Sequence, residues 1–594
     1  MNIIQVNYQY PSPSMCLVLD NKTVLGLSPD LSRDEKVSFV GSLKHPLVYR
    51  DAMLILREIV ISDMSYKKKK RIDFFVWLES EIERRLRNHE EFMKGVRENI
   101  QEDMKILKQK IEELELDINR LIKIKDNLNK KIKKYDIWRD YYRIERDFWR
   151  YIKNRDAALW WVLDPVITVH PDQVSFEAFS LDESTYGCLS IDMDEFRISG
   201  TPQLGTTNID FSAKLAREME RFRTYTDVEL SINPEGFSVD TGVTPEHIEK
   251  KIDLPESWIR GFNQVSAAAI LEGFEIKLKP IDIYDICTFL RRHKAHKSPR
   301  YMEWIFEPNK QIEINFKPWD KSLTLSSIYK GKKKRIEKIW GRRRWLIIER
   351  IIPIAKSFRI ILHGFGMPQF IIADLGTMKM TIGFTSWSAN DWVKGTAFNI
   401  MAGFIGSGAE GVYNLLKEKR FLAINQIEAS LSTYNKNEIR AGIGMMLRRG
   451  QGYIDPINKL IRFRQLCSIP LPQKLYEFTK LEKNVEALLN ESMADFKLKL
   501  SKKGEIQASY SFLYRGTSRY SNYYKPSNTK VIIDQDWQII KVKCNCREFK
   551  MGPRNISSPC AHILAIYIIT SKFVYSSLKP NKNYNLETLN KTLM

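Results

Sequence analysis

The sequence predicts an α+β protein of several domains, with a long coiled-coil helix near the N-terminus, a mixed α/β middle, a winged-helix-like module and a small C-terminal ββα unit. Three observations lead to this prediction. The chain has 594 residues, more than one hydrophobic core usually organises. Residues 73–163 contain no proline and a single glycine. Three of the seven cysteines lie between positions 544 and 560.

Changes in composition and periodicity divide the chain into seven regions. Strands are predicted at 16–19 and 23–27, joined by a turn at Asp20-Asn21. In chain order we expect an N-terminal mixed β region (1–65), a long helix or coiled coil (66–164), an α+β middle region (165–405), a winged-helix-like module (406–466), a β-containing linker region (467–530), the ββα unit (531–572) and a polar tail (573–594).

The proline-free stretch carries a heptad repeat from residue 104 to residue 135. Apolar residues recur at alternating spacings of three and four, which is the period of a supercoiled helix. The a positions are Met104, Ile111, Ile118, Lys125 and Ile132, and the d positions are Leu107, Leu114, Leu121, Leu128 and Tyr135. The helix partner stays open: a second copy, another protein, or residues 138–163 folded back.

The middle region, 165–405, alternates strands with two helices, and the predicted strands include 166–169 and 345–349. The region also holds two basic clusters. The first is 291–297, with the sequence RRHKAHK, and the second joins 330–335 to an arginine run beside Trp345. Arginine next to tryptophan suits phosphate contact combined with base stacking. The candidate nucleic-acid contacts of this run are Arg342, Arg343 and Arg344. A solvated loop explains the same clusters equally well.

Three helices and a hairpin are predicted after the glycine-rich segment at 406–411. The helices cover 412–419, 421–431 and 437–449, and the hairpin covers 451–464. This order is that of a winged helix-turn-helix, whose third helix enters the major groove and whose wing meets the DNA backbone. We expect Arg440 and Arg448 on the outer face of helix three, and Arg462 and Arg464 on the wing. Many winged helices bind protein, so the partner stays open.

The C-terminal cysteines form the pattern Cys544-x-Cys546, thirteen residues, then Cys560-x-His562. Three cysteines and one histidine make a closed tetrahedral set for structural zinc. Residues 539–543 alternate as a strand, and Pro559 is well placed to open a helix whose first turn holds the second pair. We therefore predict one structural Zn²⁺ in a ββα zinc finger. Four protein ligands leave the metal no open position for catalysis.

This CxC…CxH pattern resembles the SWIM zinc-finger family. Residues 365–392 (FGMPQFIIADLGTMKMTIGFTSWSANDW) are also similar to a segment of larger bacterial SWIM-finger proteins. The resemblance implies partners of two kinds, since SWIM fingers occur in DNA-linked and in protein-linked settings. Relatives are sometimes fused to helicase-type ATPases or work beside AAA+ and von Willebrand A proteins. This chain has no GKT or GKS phosphate loop, so an ATPase would be a separate partner.

Tyrosine and arginine interleave just before the finger, after strands predicted at 496–500 and 505–512. The interleaved residues are Tyr514, Arg515, Arg519, Tyr520, Tyr523, Tyr524 and Lys525. Such a pattern can stack on bases and contact phosphates. A flexible loop is an equally good interpretation of the same residues.

The formal net charge of +22 indicates a polyanionic partner, nucleic acid before an anionic membrane. A Lys/Asn/Ile bias along the whole chain is the competing explanation for that charge. Hydrophobic residues make up 43% of the chain and aromatic residues 11%, which excludes a disordered protein. The N-terminus has no signal-peptide pattern, and no apolar run approaches the roughly 18 residues of a membrane span. We therefore expect a cytoplasmic protein without a membrane partner.

No enzymatic activity and no small-molecule substrate are expected. The segment GFTSWSAN is similar to the tail of phospholipase D-like motifs, but Gly364 and Phe365 follow His363 where that chemistry needs histidine-x-lysine. The GxGxxG at 406–411 has no clear βαβ unit around it. The expected function is zinc-dependent, non-catalytic binding of nucleic acid through basic surfaces and the winged-helix-like module. The alternative is a protein-interaction adaptor that works with a separate ATPase or other partner through the coiled coil and the finger.

Overall fold

The structure is a computed structural model of the chain. It describes residues 14–19, 22–30, 36–62, 165–233 (without 210, 212, 221 and 224–226), 256–295, 300–385 (without 365–366), 392, 397–467, 477–490, 496–517 (without 502–504), 522–546 (without 535–538), 549, 560–571 and 583–585. The chain divides into one unit of residues 1–64 and 161–594 and a second of residues 65–160. The predicted coiled coil, 66–164, lies outside the described residues.

The strands of the described residues are short and mostly antiparallel. They are β1 (Met15–Leu19), β2 (Lys22–Leu27), β3 (Phe39–Leu43), β4 (Val166–Val169), β5 (Gln173–Phe179), β6 (Thr185–Asp192), β7 (Phe196–Ile198), β8 (Gly205–Asn208), β9 (Asp227–Ile232), β10 (Phe274–Leu278), β11 (Met302–Phe306), β12 (Gln311–Phe316), β13 (Lys321–Ile328), β14 (Arg335–Ile339), β15 (Ser357–Leu362), β16 (Gln369–Asp374), β17 (Met378–Phe384), β18 (Phe421–Ala423), β19 (Gly452–Ile454), β20 (Leu460–Phe463), β21 (Lys497–Leu500), β22 (Ile506–Thr517), β23 (Asn522–Ile533), β24 (Ile539–Lys543) and β25 (Asn583–Asn585).

The helices lie between these strands. They are α1 (Pro46–Ile61), α2 (Ala213–Met219), α3 (Glu256–Ile270), α4 (Pro280–Arg292), α5 (Ala397–Met401), α6 (Gly411–Lys419), α7 (Ile424–Ser430), α8 (Lys436–Arg448), α9 (Lys480–Asn490) and α10 (Ala561–Ser571), with 3₁₀ segments at Met193–Glu195 and Arg342–Ile354. Among the described residues, no helix combines the length and the apolarity needed to cross a membrane.

An antiparallel sheet of eight strands forms the centre, in the order β10-β15-β16-β17-β6-β5-β4-β8. Every residue of β5 is buried, because both faces of the sheet are covered. Successive side chains of a strand point to opposite faces. Phe176 meets Tyr49 of α1, with ring centroids 6.2 Å apart, whereas Phe179 meets Phe262 of α3 at 4.8 Å.

Two further sheets have five and four strands. The order β1-β2-β9-β3-β7 places β9 between β2, to which it is parallel, and β3, to which it is antiparallel. Both edges of β9 are thus occupied by other strands. The second sheet has the order β13-β12-β11-β14.

The sequence around Trp345 forms a 3₁₀ helix, Arg342–Ile354, where a strand was expected over 345–349. Trp345, Ile348 and Ile351 are all buried. Their spacing of three residues matches one turn of a 3₁₀ helix and brings all three to one face. The strand prediction was wrong because a short apolar run does not reveal its own period.

Residues 411–463 contain three helices and a small sheet with the order β18-β20-β19. The first two helices differ from expectation at their junction. Arg420 adopts a positive φ of 66°, which ends α6, and Phe421–Ala423 then pair with β20 as a strand before α7 begins. The helix expected from residue 421 therefore starts at Ile424.

The C-terminal sheet has the order β24-β23-β22-β21-β25. The boundary expected between 530 and 531 falls inside β23, so the linker region and the finger share one sheet. β25 adds residues 583–585 of the expected polar tail to the same sheet through β21. Backbone pairing across the sheet, rather than composition, joins these regions.

Candidate metal centre

Four potential metal ligands come together where β24 ends and α10 begins. Cys544 directly follows β24, with Cys546 two residues further on, while Cys560 precedes α10 and His562 lies in its first turn. One ligand atom from each of these residues lies within 4.8 Å of all the others. This spacing allows one ion to contact all four groups. The structure thus assembles the set that the sequence spacing predicted.

The site is largely closed to solvent. The three cysteines are 3–4% exposed and His562 is half-buried. None of the cysteines is in a disulfide. Buried thiols packed this closely without a disulfide are typical of a metal site in which the sulfurs coordinate as thiolates.

Backbone and hydroxyl groups surround the sulfurs. The amide of Cys546 donates to Sγ of Cys544 at 3.5 Å, and the amide of Phe549 donates to Sγ of Cys546 at 3.4 Å. Oγ1 of Thr529, on β23, lies 3.2 Å from Sγ of Cys544. Such outer contacts orient thiolate ligands and spread their negative charge.

The electrostatics of the cluster call for a cation. Hydrogen bonding to Cys544 and Cys546, together with burial, raises the pKa of Cys560 far above its ordinary range. Burial lowers the pKa of His562, but hydrogen bonding to Cys544 and Cys546 outweighs it and raises that pKa to about 9. Both shifts arise because negative charge would accumulate in a buried space. A divalent ion supplies the compensating charge and deprotonates the thiols.

The residues fit zinc. Three sulfurs and one imidazole nitrogen form a closed tetrahedral donor set for Zn²⁺. Nδ1 of His562 is buried and has no hydrogen-bond partner among the described residues. A buried imidazole nitrogen without a partner is costly unless it binds a ligand. Cys544, Cys546, Cys560 and His562 are placed to hold one metal ion, and their donor atoms suit zinc.

The helix that carries His562 is part of the core. Eight of the eleven residues of α10 are buried, and the helix packs on β22, β23, α5 and α9. Strand β24 lies at the edge of the sheet beside β23. A metal ion bound here would tie the sheet edge to a core helix, so it would stabilise the C-terminal region as a whole.

The β22–β23 hairpin contacts this centre at its base. Phe512 of β22 is buried, and its ring centroid lies 4.8 Å from that of His562. β21 pairs with residues 506–509 and β24 with residues 530–533, so beyond those residues the described sheet has two strands. Sequence reasoning missed the contacts of Phe512 and Thr529 with the centre, because strand register rather than spacing brings them there.

Five of the seven predicted nucleic-acid contacts are buried. On the β19–β20 hairpin, Arg462 bonds both carboxylate oxygens of Asp172 at 2.8 Å, and Arg464 bonds the buried Glu177. Each arginine side chain is 1% exposed. The expected wing thus binds the central sheet, and its guanidinium groups are withdrawn from solvent because acidic partners attract them inward.

The other three buried arginines also bind within the protein. Nη1 of Arg448 donates to the carbonyl oxygen of Phe404 at 2.7 Å, and burial lowers the pKa of Arg448. Nη1 of Arg344 donates to Oγ1 of Thr385 at 2.6 Å, and Arg342 donates to backbone carbonyls. These residues hold chain segments together, which corrects their expected role as surface contacts.

Arg343 and Arg440 are exposed, as the sequence predicted. The seven arginines therefore do not form one continuous exposed surface, because five of them are buried. Contact of these two residues with nucleic acid stays a prediction. The fold therefore separates the seven candidates into five structural side chains and two solvent-exposed ones.

No protein-family model and no curated protein matches the sequence. Among solved structures, the chain is similar to proliferating cellular nuclear antigen from Entamoeba histolytica, with a TM-score of 0.27 and 12% identity over 37% of this chain and 89% of that one. It is also similar to the DNA polymerase sliding clamp from Bacillus subtilis, with a TM-score of 0.27 and 12% identity over 38% of this chain and 57% of the clamp. A TM-score of 0.27 is too low to carry a functional conclusion.

Proposed function

We propose that this chain is a non-catalytic, SWIM-type zinc-finger protein that binds nucleic acid through the β22–β23 hairpin. The observation that carries the proposal is the attachment of the hairpin to the metal centre. Thr529 contacts the sulfur of Cys544 at 3.2 Å, and Phe512 packs against His562. Metal binding would thereby fix the base of the hairpin.

The hairpin has the length and composition of a nucleic-acid reader. Its strands have twelve residues each, and backbone pairing places Arg515 opposite Tyr524 and Tyr514 opposite Lys525. A two-stranded β-ribbon fits the major groove of B-DNA. Interleaved tyrosine and arginine also suit unpaired bases. Five of the interleaved residues, Tyr514, Arg515, Tyr523, Tyr524 and Lys525, thus belong to paired strands, which favours the binding interpretation of these residues over the flexible loop.

We further propose that residues 411–463 are a winged helix-turn-helix that serves as a scaffold. The element order and the sheet order β18-β20-β19 suit that fold. Gly444 of α8 packs against Phe404, and the arginines of the β19–β20 hairpin pair with the central sheet. The surfaces that would read DNA are thus largely occupied within the chain.

A protein adaptor is the second candidate. Ile281 and Tyr284 on α4 are each 49% exposed, and Ile328 at the end of β13 is 56% exposed. The carboxylate of Asp282 accepts from the amide of Ser326 at 2.6 Å, so α4 and β13 are joined at this place. Exposed apolar residues beside a sheet edge favour a protein partner.

The proposal is tested by titrating the zinc-loaded full-length protein into labelled duplex and single-stranded oligonucleotides, with binding followed by fluorescence anisotropy at several salt concentrations. Affinity should fall log-linearly as salt rises, because phosphate contacts release counterions. The pair Arg515→Glu and Lys525→Glu should weaken binding by about 10-fold or more.

The matched control is the pair Lys417→Glu and Lys419→Glu, which makes the same charge change on an exposed face of α6. This control should bind within about 3-fold of the wild type. The proposal fails if protein with a full zinc equivalent binds neither strand form. Equal weakening by both pairs would mean that net charge, rather than the hairpin, accounts for binding.

A further inference from the structure

The two basic clusters of the sequence meet at one tryptophan. Trp319 lies in the turn between β12 and β13 and is half-buried. The guanidinium of Arg342 lies 4.6 Å from the ring centroid of Trp319. The ring of His293, at the end of α4, lies 5.5 Å from Trp319 on a tilt of 59°. Trp319 therefore contacts one residue of each cluster, His293 near the surface and the buried Arg342 beneath it.

A stack of aromatic rings runs outward from the core to this surface. Phe316 is fully buried, and Phe289 stacks on it with centroids 4.0 Å apart and planes at 21°. His293 stacks in turn on Phe289 at 4.1 Å and 16°. Phe289 and His293 are half-buried, so the stack ends near solvent. Nδ1 of His293 contacts the carbonyl oxygen of Phe289 at 3.0 Å, which holds the ring in place.

Positive charge surrounds the outer end of the stack. Nζ of Lys321 lies 3.1 Å from Nε2 of His293, and Arg292 and Lys294 are exposed next to it in the chain. Burial and then the nearby charge of Arg300 lower the pKa of Arg342 to about 10, and Arg300 itself is exposed. Cations gathered this closely favour an anionic ligand.

Two acids close to this surface have basic partners. Asp320 pairs with Lys317, and Glu349 pairs with Arg291. These pairs leave Lys321, Arg292, Lys294 and Arg300 as the cations that the surface presents beside the stack. A planar platform next to such cations matches a ligand that carries both bases and phosphates.

We propose that this surface is a binding site for single-stranded nucleic acid, in which a base stacks on His293 beside Trp319 and the adjoining phosphates contact Lys321 and Arg292. The proposal rests on the proposed function and adds a site separate from the β22–β23 hairpin. Duplex bases already stack on one another, so a ring platform selects unpaired bases. Base–aromatic stacking tolerates any sequence, which predicts binding with little sequence preference.

The test uses full-length protein and a labelled oligothymidylate, with a duplex and an abasic strand of equal length for comparison. His293→Ala should weaken binding of oligothymidylate by about 10-fold, whereas His293→Phe, which keeps a stacking ring, should stay within about 3-fold of the wild type. The abasic strand should bind the wild type and His293→Ala equally, since it has no base to stack.

Charge is tested separately with Lys321→Glu, which should weaken binding of both strands and reduce the salt dependence. Lys417→Glu on α6 is the matched control and should change neither. Thermal unfolding of each variant identifies loss of folding. If His293→Ala instead melts early, His293→Leu, which keeps an apolar side chain against Phe289 but has no ring, should show the same selective loss of oligothymidylate binding.

The outcomes separate this inference from the proposed function. Absence of all nucleic-acid binding by the zinc-loaded wild type overturns both. Binding that is lost in the Arg515→Glu and Lys525→Glu pair but unchanged in His293→Ala and Lys321→Glu overturns this site alone. Equal loss of oligothymidylate and abasic binding in His293→Ala would overturn the stacking role and leave a phosphate site.

Discussion

At the scale of single residues, the candidate metal centre requires four side chains together, because one side chain alone would not hold an ion. Cys544 and Cys546 come from the end of an edge strand, and Cys560 and His562 come from the start of a core helix. Their ligand atoms lie within 4.8 Å of one another, where uncompensated thiolates would repel. A metal ion bound by these four residues would therefore contribute to folding of the C-terminal region.

Replacing a ligand should remove the metal. His562→Ala and Cys544→Ala should each lose the bound zinc and lower the melting temperature of the C-terminal region. The reason is that three remaining ligands do not complete the tetrahedral coordination of the ion. His562→Cys keeps four ligands and should retain zinc. Metal content by chelator-dye assay, with circular dichroism on the same samples, checks this prediction.

Cys467→Ala is the control for these variants, since Cys467 is half-buried and lies outside the four-ligand cluster. It should keep a full equivalent of zinc. Retention of full zinc by both His562→Ala and Cys544→Ala would show that the cluster is not the metal site.

The buried arginines illustrate a second point at this scale. Arginine on the predicted outer face of a helix or wing indicates an available charge, but a carboxylate elsewhere in the chain can capture it. Asp172 and Glu177 lie far from Arg462 and Arg464 in sequence and beside them in space. The free-energy cost of removing an arginine from water is offset when a carboxylate pairs with its guanidinium group.

At the scale of elements, helix α8 shows why residues 411–463 pack closely against the segment before them. A Cβ on Gly442 would lie 2.7 Å from the carbonyl oxygen of Ala409, and one on Gly444 would lie 2.4 Å from the carbonyl oxygen of Phe404. Glycine costs helix stability, so two glycines in one helix indicate close backbone packing. Both glycines lie in the sequence RAGIGMML, residues 440–447.

Gly444→Ala should destabilise the protein by about 2 kcal/mol, although alanine favours an isolated helix by about 1 kcal/mol. The added methyl group meets backbone atoms of Phe404 that cannot move without shifting the chain. Chemical denaturation of the full-length protein measures this difference. Asn437→Ala, at an exposed position in the first turn of α8, is the control and should change stability little. A stabilising Gly444→Ala would contradict the close packing.

At the scale of the whole unit, Arg335 joins three sheets. Its guanidinium lies 4.3 Å from the ring centroid of Phe274 on β10, contacts Glu337 on its own strand β14 at 3.6 Å, and bonds Asp534 next to β23 at 3.4 Å. Glu337 is buried at this junction, and desolvation raises its pKa to about 7 against the opposing charge of Arg335, with Asp534 adding to the rise.

Stability should therefore fall as pH rises from about 4.5 to 7. In that range the carboxyl of Glu337 ionises in the unfolded chain while the folded protein keeps it protonated, so the unfolded state binds fewer protons. Glu337→Gln removes this loss and should be more stable than the wild type at pH 8 by up to about 3 kcal/mol, with little difference near pH 4. Urea denaturation at both pH values measures the effect.

Glu313→Gln, on strand β12 of the same sheet and half-buried, is the control for the loss of a carboxylate. Its stability should follow that of the wild type with pH. If Glu337→Gln and the wild type gave parallel curves from pH 4 to pH 8, the carboxyl of Glu337 would ionise in the folded protein as it does in the unfolded chain.

The sequence by itself determined the chemistry of the metal centre and many of the elements around it. Cysteine spacing, strand alternation and helix-start signals act over a few residues, so Cys544, Cys546, Cys560 and His562 could be paired as ligands without a fold. The same local signals located β4, the three helices of 411–448 and the hairpin after them.

Only the tertiary structure decided which charges reach solvent and which segments share a sheet. Arg462 and Arg464 turn inward because acids nearly 290 residues away lie beside them. The register of the strands brings the β22–β23 hairpin into contact with the candidate metal centre. Packing of α4 and the 3₁₀ helix places one residue of each basic cluster against Trp319. Such contacts are set by the mutual burial of distant surfaces, which no local pattern of residues encodes.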